Sequence, residues 1–166
     1  MICELVDASS PGKRTGKPST LVILPCGKLK IWSKNFLAGP TPAKDAYISS
    51  VFKLYRKYAE SVGTDWRILS AWYGFLHPEY AIEDYDARFH ESDLHAENWW
   101  RLKGLWQQAR RLPQCEQVVL LGGTLYRQIM KKALEGVYLP REITEPFAGL
   151  SVGRTMCALK KSISDP

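Results

Sequence analysis

The sequence has little cysteine and no long apolar run. Its four cysteines, Cys3, Cys26, Cys115 and Cys157, form no C-x-x-C pair, so neither a zinc ribbon nor a disulfide framework is indicated. Apolar runs such as Leu21–Leu24 are far shorter than the roughly 20 residues that span a bilayer. Residues 1–20 lack the apolar segment of a signal peptide. We therefore expect a cytoplasmic protein without membrane contact.

Acidic residues are fewer than basic ones. The 166 residues contain 17 Asp and Glu against 23 Lys and Arg, which gives a net charge of +6 and a sequence pI near 9.2. A basic balance favours a polyanionic partner such as nucleic acid. Six tryptophans and eight tyrosines exceed the usual need of so small a core, so we expect some of them on the surface.

Short apolar runs alternate with segments of helical periodicity. The predicted strands are Leu21–Leu24, Trp66–Ser70, Gln117–Leu121 and Glu142–Thr144. The predicted helices are Val51–Val62, Leu94–Ala109, Leu125–Leu134 and Gly149–Ser162. This alternation predicts an α/β three-layer sandwich with a short, mainly parallel central sheet of about four strands between helices. Residues 1–19 are predicted to be a flexible basic arm, and residues 20–166 a single catalytic domain.

Ligands of such sheets bind beyond the carboxyl ends of the strands. The loops expected there are residues 25–30, 70–86 and 122–126. The first contains Cys26, Gly27, Lys28 and Lys30; its glycine and lysines suit a phosphate, although an ordinary solvated turn is equally consistent. In the third, Gly122, Gly123 and Tyr126 predict either an anion-binding helix N-terminus or close packing of strand and helix.

The middle loop is the richest in chemistry. Its aromatic and turn residues, which suit stacking of a base, are Ser70, Trp72, Tyr73, Gly74 and Tyr85. Its acids Asp84 and Asp86 are candidates for acid or base catalysis.

A second candidate segment lies just before the first predicted helix. Lys44, Asp45 and Tyr47 are predicted to point toward the strand ends, where Asp45 would orient water or stabilise a sugar cation. The alternative is that Asp45 only caps a helix.

Two further patterns lie between residues 90 and 111, and the first of them indicates no metal site. His90 and His95 are five residues apart, so they do not share a helical face as two zinc ligands would. The Trp99-Trp100 pair, with Arg101, Lys103, Arg110 and Arg111, predicts a helix with one face in the core and a basic face that meets phosphates. We expect no cofactor.

The motifs occur in an order that resembles a known family. They are Leu24-Pro-Cys-Gly-Lys-x-Lys30, Pro42-Ala-Lys-Asp-x-Tyr47, Leu69-Ser-Ala-x-Tyr-Gly-x-Leu-x-Pro78, Tyr85-Asp86 and Leu121-Gly-Gly-x-x-Tyr126. Between about Leu21 and Leu159 the chain resembles small Rossmann-like proteins that are distantly related to the YaaA stress proteins. It also resembles bacterial phage-defence DNA glycosylases that excise glucosylated hydroxymethylcytosine. Asp84 stands where such proteins often have proline, which leaves open which acid is catalytic.

The resemblance implies a Rossmann-like or DNA-glycosylase-like fold. It also implies a monofunctional DNA N-glycosylase that acts on a modified base in phage DNA, flips the nucleotide out, and leaves an abasic site. No obligate protein partner is expected. Two alternatives stay open: a DNA-binding protein without catalysis, and an enzyme that acts on free modified nucleotides. A Schiff base at Lys44 would add strand cleavage.

Overall fold

A computed structural model describes residues 19–63, 65–138 and 140–164. The predicted basic arm, residues 1–19, therefore lies outside the described residues except for Ser19. The strands are β1 (Thr20–Pro25), β2 (Thr41–Pro42), β3 (Asp65–Ser70), β4 (Gly74–Leu76), β5 (Ala81–Ile82), β6 (Gln117–Leu120) and β7 (Glu142–Thr144). The α-helices are α1 (Ala43–Ala46), α2 (Ser50–Val62), α3 (Trp99–Ala109), α4 (Thr124–Leu134) and α5 (Val152–Ser164).

The central sheet has five strands in the order β4-β3-β1-β6-β7. Strand β1 lies in the middle and pairs in parallel with β3 and β6, and β7 extends the parallel part beyond β6. All four predicted strands are confirmed. The fifth, β4, is antiparallel to β3 and was not predicted, because it has only three residues and follows a tight turn at Gly74, whose φ is +77°.

Helices cover both faces of the sheet. Leu21 and Ile23 of β1 belong to the core that includes residues of α3 and α4, whereas Val22 and Leu24 belong to the core that includes residues of α2 and α5. Consecutive side chains of a strand point to opposite faces, and these four are completely buried. Burial on both faces thus explains why Leu21–Leu24 of β1 is entirely apolar. The predicted three-layer α/β fold is confirmed.

The observed ends of the helices differ slightly from the predicted ends, and local contacts and turns explain where the helices begin and end. Helix α2 begins after Ser49, whose Oγ accepts a hydrogen bond from the Phe52 amide at 3.3 Å, and ends before Gly63. Helix α3 begins only at Trp99, because residues 91–94 and 96–98 form 3-10 turns instead of an α-helix. Helix α5 begins at Val152, three residues after Gly149 turns the chain with a φ of +77°.

A small second sheet fixes the segment before α2. Strand β2 pairs antiparallel with β5, and the backbone N–H groups of Ala43 and Lys44 donate to the carbonyls of Tyr80 (2.9 Å) and Pro78 (3.0 Å). These contacts set the direction of α1. Within the ranges described above, no helix is long and apolar enough to cross a membrane.

Candidate functional site

The three predicted loops meet at the carboxyl edge of the sheet. The Cys26 amide donates to the Leu69 carbonyl at 3.0 Å, which joins the ends of β1 and β3. Gly122, directly beyond β6, has a φ of +107°, and a Cβ on it would lie 2.7 Å from Cγ of Pro25. The ends of β1, β3 and β6 are thus in direct contact.

A cavity of about 220 Å³ lies at this edge and is called here the strand-end cavity. Its lining residues come from all three parts of the predicted site and from the chain just after it: Cys26, Gly27, Lys28, Lys30, Tyr85, Asp86, Ala87, Arg88 and Tyr126. Three of these are cationic and one is a carboxylate. The cavity therefore offers a positive surface, which suits an anion, with one acidic group.

Tyr85 is held by a network of hydroxyl groups behind the cavity. Its hydroxyl accepts a hydrogen bond from Ser70 Oγ at 2.9 Å and lies 2.7 Å from the hydroxyl of the buried Tyr47. Ser70 Oγ also accepts from the backbone N–H groups of Trp72 and Tyr73, both at 3.1 Å. The same network therefore holds both the Tyr85 ring and the turn that follows β3.

The tyrosines of this network are neutral. Burial, and next the nearby Cys26 thiol, raise the pKa of Tyr47 and of Tyr85 far above the usual value. The same two causes raise the pKa of Tyr126, whose hydroxyl lies 3.5 Å from Cys26 Sγ. These hydroxyls act as hydrogen-bonding groups and not as bases near neutral pH.

The two lysines of the cavity differ in their surroundings. Lys30 Nζ donates to the Tyr85 carbonyl at 2.6 Å and lies 4.2 Å from the centre of the Tyr85 ring. Lys28 is exposed, and no described residue forms an ion pair or side-chain hydrogen bond with it. Lys30 therefore stabilises the position of Tyr85, whereas the charge of Lys28 faces solvent.

Of the three predicted acids, Asp86 alone lines the strand-end cavity. Its side chain is exposed, and within the described part of the chain its carboxylate has no ion-pair or hydrogen-bond partner. Asp84 Oδ1 accepts from the Tyr85 amide at 2.9 Å and lies outside the lining. The structure thus leaves the Asp86 carboxylate available to a ligand in the cavity.

Lys44 and Asp45 do not line the cavity either. Lys44 pairs with Glu79, and Asp45 pairs with Arg56 of α2 at 2.8 Å. The α1 segment is held by its backbone contacts to Pro78 and Tyr80, and both charges have partners on neighbouring elements. The predicted catalytic role of Asp45 stays a prediction, without support from this geometry.

The predicted aromatic residues Trp72 and Tyr73 line a second cavity of about 360 Å³, called here the aromatic hollow. Its lining residues are Ser70, Ala71, Trp72, Tyr73, Gly74, Phe89, Trp100, Gly104, Leu105 and Gln108. The Ser70–Tyr85 hydrogen bond (2.9 Å) and the Phe89–Tyr126 ring contact (centres 5.3 Å apart) join its lining to that of the strand-end cavity. The two cavities share no lining residue, but their linings are in contact at these two points.

Several lining residues, among them Arg88, Phe89 and Gln108, were not singled out from the sequence. Arg88 and Phe89 follow the acidic loop without a recognisable motif. Gln108 lies inside a helix, where glutamine usually faces solvent, but its Oε1 accepts from the Phe75 amide at 2.6 Å and its Nε2 donates to the Tyr73 carbonyl at 3.1 Å. No local sequence signal identifies such a long-range contact.

The Gly122–Tyr126 turn places the N-terminus of α4 at the same edge. Gly123 is the exposed N-cap residue, and Tyr126 in the first turn lines the strand-end cavity. Free amides at a helix N-terminus attract anions. In residues 19–63, 65–138 and 140–164 there is no group of three or more His, Cys, Asp or Glu side chains that could hold a metal ion.

Comparisons with known proteins find relatives whose descriptions name no activity. The model of a family of unknown function, DUF6884, matches residues 22–161. The uncharacterized protein YfjM of Bacillus subtilis (strain 168) is 31% identical over 147 residues, which cover 87% of this chain and 95% of that protein. No solved structure matches.

Proposed function

The chain belongs to the DUF6884 family, whose function is unknown, and from its own site we propose that it is a DNA N-glycosylase that removes a modified base. The observation that carries the proposal is the Asp86 carboxylate, which lies with Lys28 and Tyr85 in the lining of the strand-end cavity and has no ion-pair or hydrogen-bond partner among the described residues. A carboxylate next to cations at the carboxyl edge of a parallel sheet suits the hydrolysis of a sugar derivative that carries phosphate.

The cations and the helix N-terminus would hold the DNA backbone. Lys28 and Arg88 are both exposed on the rim of the strand-end cavity, and the N-terminus of α4 faces the same edge. Phosphates that flank the target nucleotide would be bound there, in a manner weakened by salt. Because a reacting base must leave the duplex, the nucleotide would be flipped into the cavity.

Asp86 would then activate a water molecule. The water oxygen bonds to C1′ of the sugar as the bond between C1′ and the base nitrogen breaks, and the electron pair of that bond leaves with the base. Asp86 accepts a proton from the water, and its negative charge stabilises the cationic sugar of the transition state. The products are the free base, once protonated, and an abasic site.

The sequence resemblance supports the choice of substrate. Phage-defence glycosylases excise glucosylated hydroxymethylcytosine, and we propose this base in phage DNA as the substrate, with antiviral defence in the cytoplasm as the role. The reaction as written uses no cofactor. The basic composition, with a net charge of +6, supports DNA as the partner.

The test is release of base from phage genomic DNA that carries plain, hydroxymethylated or glucosylated cytosine. We expect mass spectrometry to detect free base, and alkali to cleave the DNA, with one modified substrate only. Asp86→Asn should lower the rate by about 10²–10⁴-fold and leave DNA binding largely intact. Glu83→Gln, an exposed acid of the same loop outside the cavity, is the matched control and should retain turnover.

Asp45→Asn and Asp84→Asn complete the series. Loss of turnover in either one, with an active Asp86→Asn protein, would move the catalytic role to that residue. Binding of all three DNAs without any released base would establish a DNA-binding protein without catalysis.

One observation favours a second candidate, an enzyme that acts on free modified nucleotides. The strand-end cavity, at about 220 Å³, is smaller than the ~300–1,000 Å³ of pockets for drug-sized ligands, so it has room for part of one nucleotide and for none of its neighbours. Turnover of a modified mononucleotide at a rate equal to that of DNA would favour this candidate, whereas a rate that rises with DNA length would favour the glycosylase.

A further inference from the structure

The aromatic hollow presents two large rings to solvent. Trp72 is 67% exposed and Trp100 is 61% exposed, and both line the same space of about 360 Å³. Ala71, Gly74 and Gly104 also line this space and leave room because their side chains are small or absent. Exposed rings around an open space suit a flat aromatic ligand.

The hollow is held in shape by the residues around it. Gln108 bridges α3 to the turn before β4 through its hydrogen bonds to Phe75 and Tyr73. Gly74 permits this bridge, since a Cβ there would lie 2.1 Å from Gln108 Oε1. The backbone that carries Trp72 is thus tied to the helix that carries Trp100, so little backbone ordering is required when a ligand binds.

Positive charge continues from the hollow along α3. Trp100, Lys103, Gln107 and Arg110 recur at intervals of three, four and three residues, which puts them on one face of the helix. Lys103, Trp106, Gln107 and Arg110 line a groove of about 300 Å³, called here the basic groove. Trp100 therefore stands where the aromatic hollow meets a face that attracts phosphates.

We propose that the aromatic hollow binds an unpaired base of single-stranded DNA and that the basic groove binds the phosphates next to it. Bases in a duplex stack on one another and do not offer their faces, so stacking rings beside cations are typical of single-strand binding. The assignment of this base as a neighbour of the target nucleotide rests on the function proposed above and on the contacts Ser70–Tyr85 and Phe89–Tyr126 between the linings of the two cavities. The base stacking itself does not depend on that function.

The experiment uses unmodified oligothymidine, as a single strand and as its duplex with oligoadenosine, and the full chain. We expect the single strand to bind more tightly and to quench tryptophan fluorescence, and Trp72→Ala and Trp100→Ala each to weaken its binding by about 5- to 100-fold. Trp72→Phe, which keeps a ring, should recover part of the loss. Phe36→Ala is the control, because Phe36 is 83% exposed and lies outside both cavities.

The charge contribution is tested by the salt dependence of the same binding. Lys103→Gln and Arg110→Gln should each reduce the slope of log affinity against log salt concentration by about 0.7, as expected for one phosphate contact on a single strand. Circular dichroism of each variant confirms its fold. Unchanged binding in both tryptophan variants, or equal affinity for the duplex, would overturn the proposal.

Failure of this proposal is distinguishable from failure of the glycosylase. The oligonucleotides carry no modified base, so their binding reports only on the hollow and the groove. Base release that persists while the tryptophan variants bind normally would refute the single-strand site alone. Ring-dependent binding without base release from any DNA would refute the glycosylase and leave the single-strand site in place.

Discussion

At the scale of single residues, Lys28 and Lys30 show how two similar side chains take different roles. We predict that Lys28→Gln reduces the salt slope of duplex DNA binding by about 0.9 and changes the free energy of unfolding by less than about 0.5 kcal/mol. Lys30→Gln removes a charged hydrogen bond and a ring contact with Tyr85, so it should lower the unfolding free energy by about 1–2 kcal/mol.

Fluorescence titration at several salt concentrations measures the first effect, and urea unfolding measures the second. The two variants are each other's control, since both remove one positive charge from the same loop. An unstable Lys28→Gln protein beside a fully stable Lys30→Gln protein would contradict the roles assigned to the two lysines.

The candidate site could be predicted from the sequence where strand ends determine it. Cys26 and Tyr126 meet because the carboxyl ends of parallel strands share one edge of the sheet. The direction of Asp45 could not be predicted, because a helix of four residues takes its orientation from contacts with Pro78, Tyr80 and Arg56. Distant contacts such as these leave no periodic pattern in the sequence.

At the scale of elements, the turn between β6 and α4 depends on one glycine. In Gly122→Ala a side chain is forced to a φ of +107° and toward Pro25, which we expect to cost about 2–4 kcal/mol of unfolding free energy. Gly123→Ala is the matched control, because its φ is −69° and nothing lies within 4 Å of an added Cβ. Its cost should stay below about 1 kcal/mol.

Urea unfolding, followed by tryptophan fluorescence, gives both values. An equal decrease in unfolding free energy in the two variants would show that the turn does not specifically require Gly122. A loss confined to Gly122→Ala would show that the contact between the ends of β1 and β6 depends on this residue.

The elements that could be predicted are those with a long enough pattern. Strands β1, β3 and β6 and four helices were found because burial on one or two faces repeats over several residues. The three-residue β7, which is exposed at Glu142 and Ile143, was predicted without such a pattern. Strands β2 and β5, with two residues each, and β4 with three are too short for any period. These short strands form only because distant segments pair with each other, and the sequence of one segment alone does not indicate that pairing.

At the scale of the whole molecule, buried tyrosines make the fold sensitive to alkali. Burial is the first cause that raises the pKa of Tyr47, Tyr55, Tyr58, Tyr85, Tyr126 and Tyr138. In the unfolded chain these groups lose their protons near pH 10, while the folded chain still retains them. The stability from neutral tyrosine is therefore complete below about pH 10 and is lost as the pH rises beyond it.

We predict that the urea midpoint falls steeply above about pH 10. In Tyr47→Phe, which removes the ionisable group at a site that is 1% exposed, the fall should be smaller, although the stability at pH 8 is also lower because the hydrogen bond to Tyr85 is lost. Tyr80→Phe, at a site 56% exposed, is the control for the loss of a tyrosine hydroxyl from the surface. Parallel curves for all three proteins would contradict the role of tyrosine burial.

The central place of β1 also determines the order in which the protein matures on the ribosome. Thr20 of β1 pairs with Gln117 of β6. Gln117 is synthesised 97 residues after Thr20, so this side of β1 stays unpaired until β6 has been made. At ordinary rates of translation this delay is about 5–20 s. During that time Leu21–Leu24 can pair only with β3, and the nascent chain carries an apolar strand edge open to other chains. Full protection of that edge begins only when β6 has left the exit tunnel.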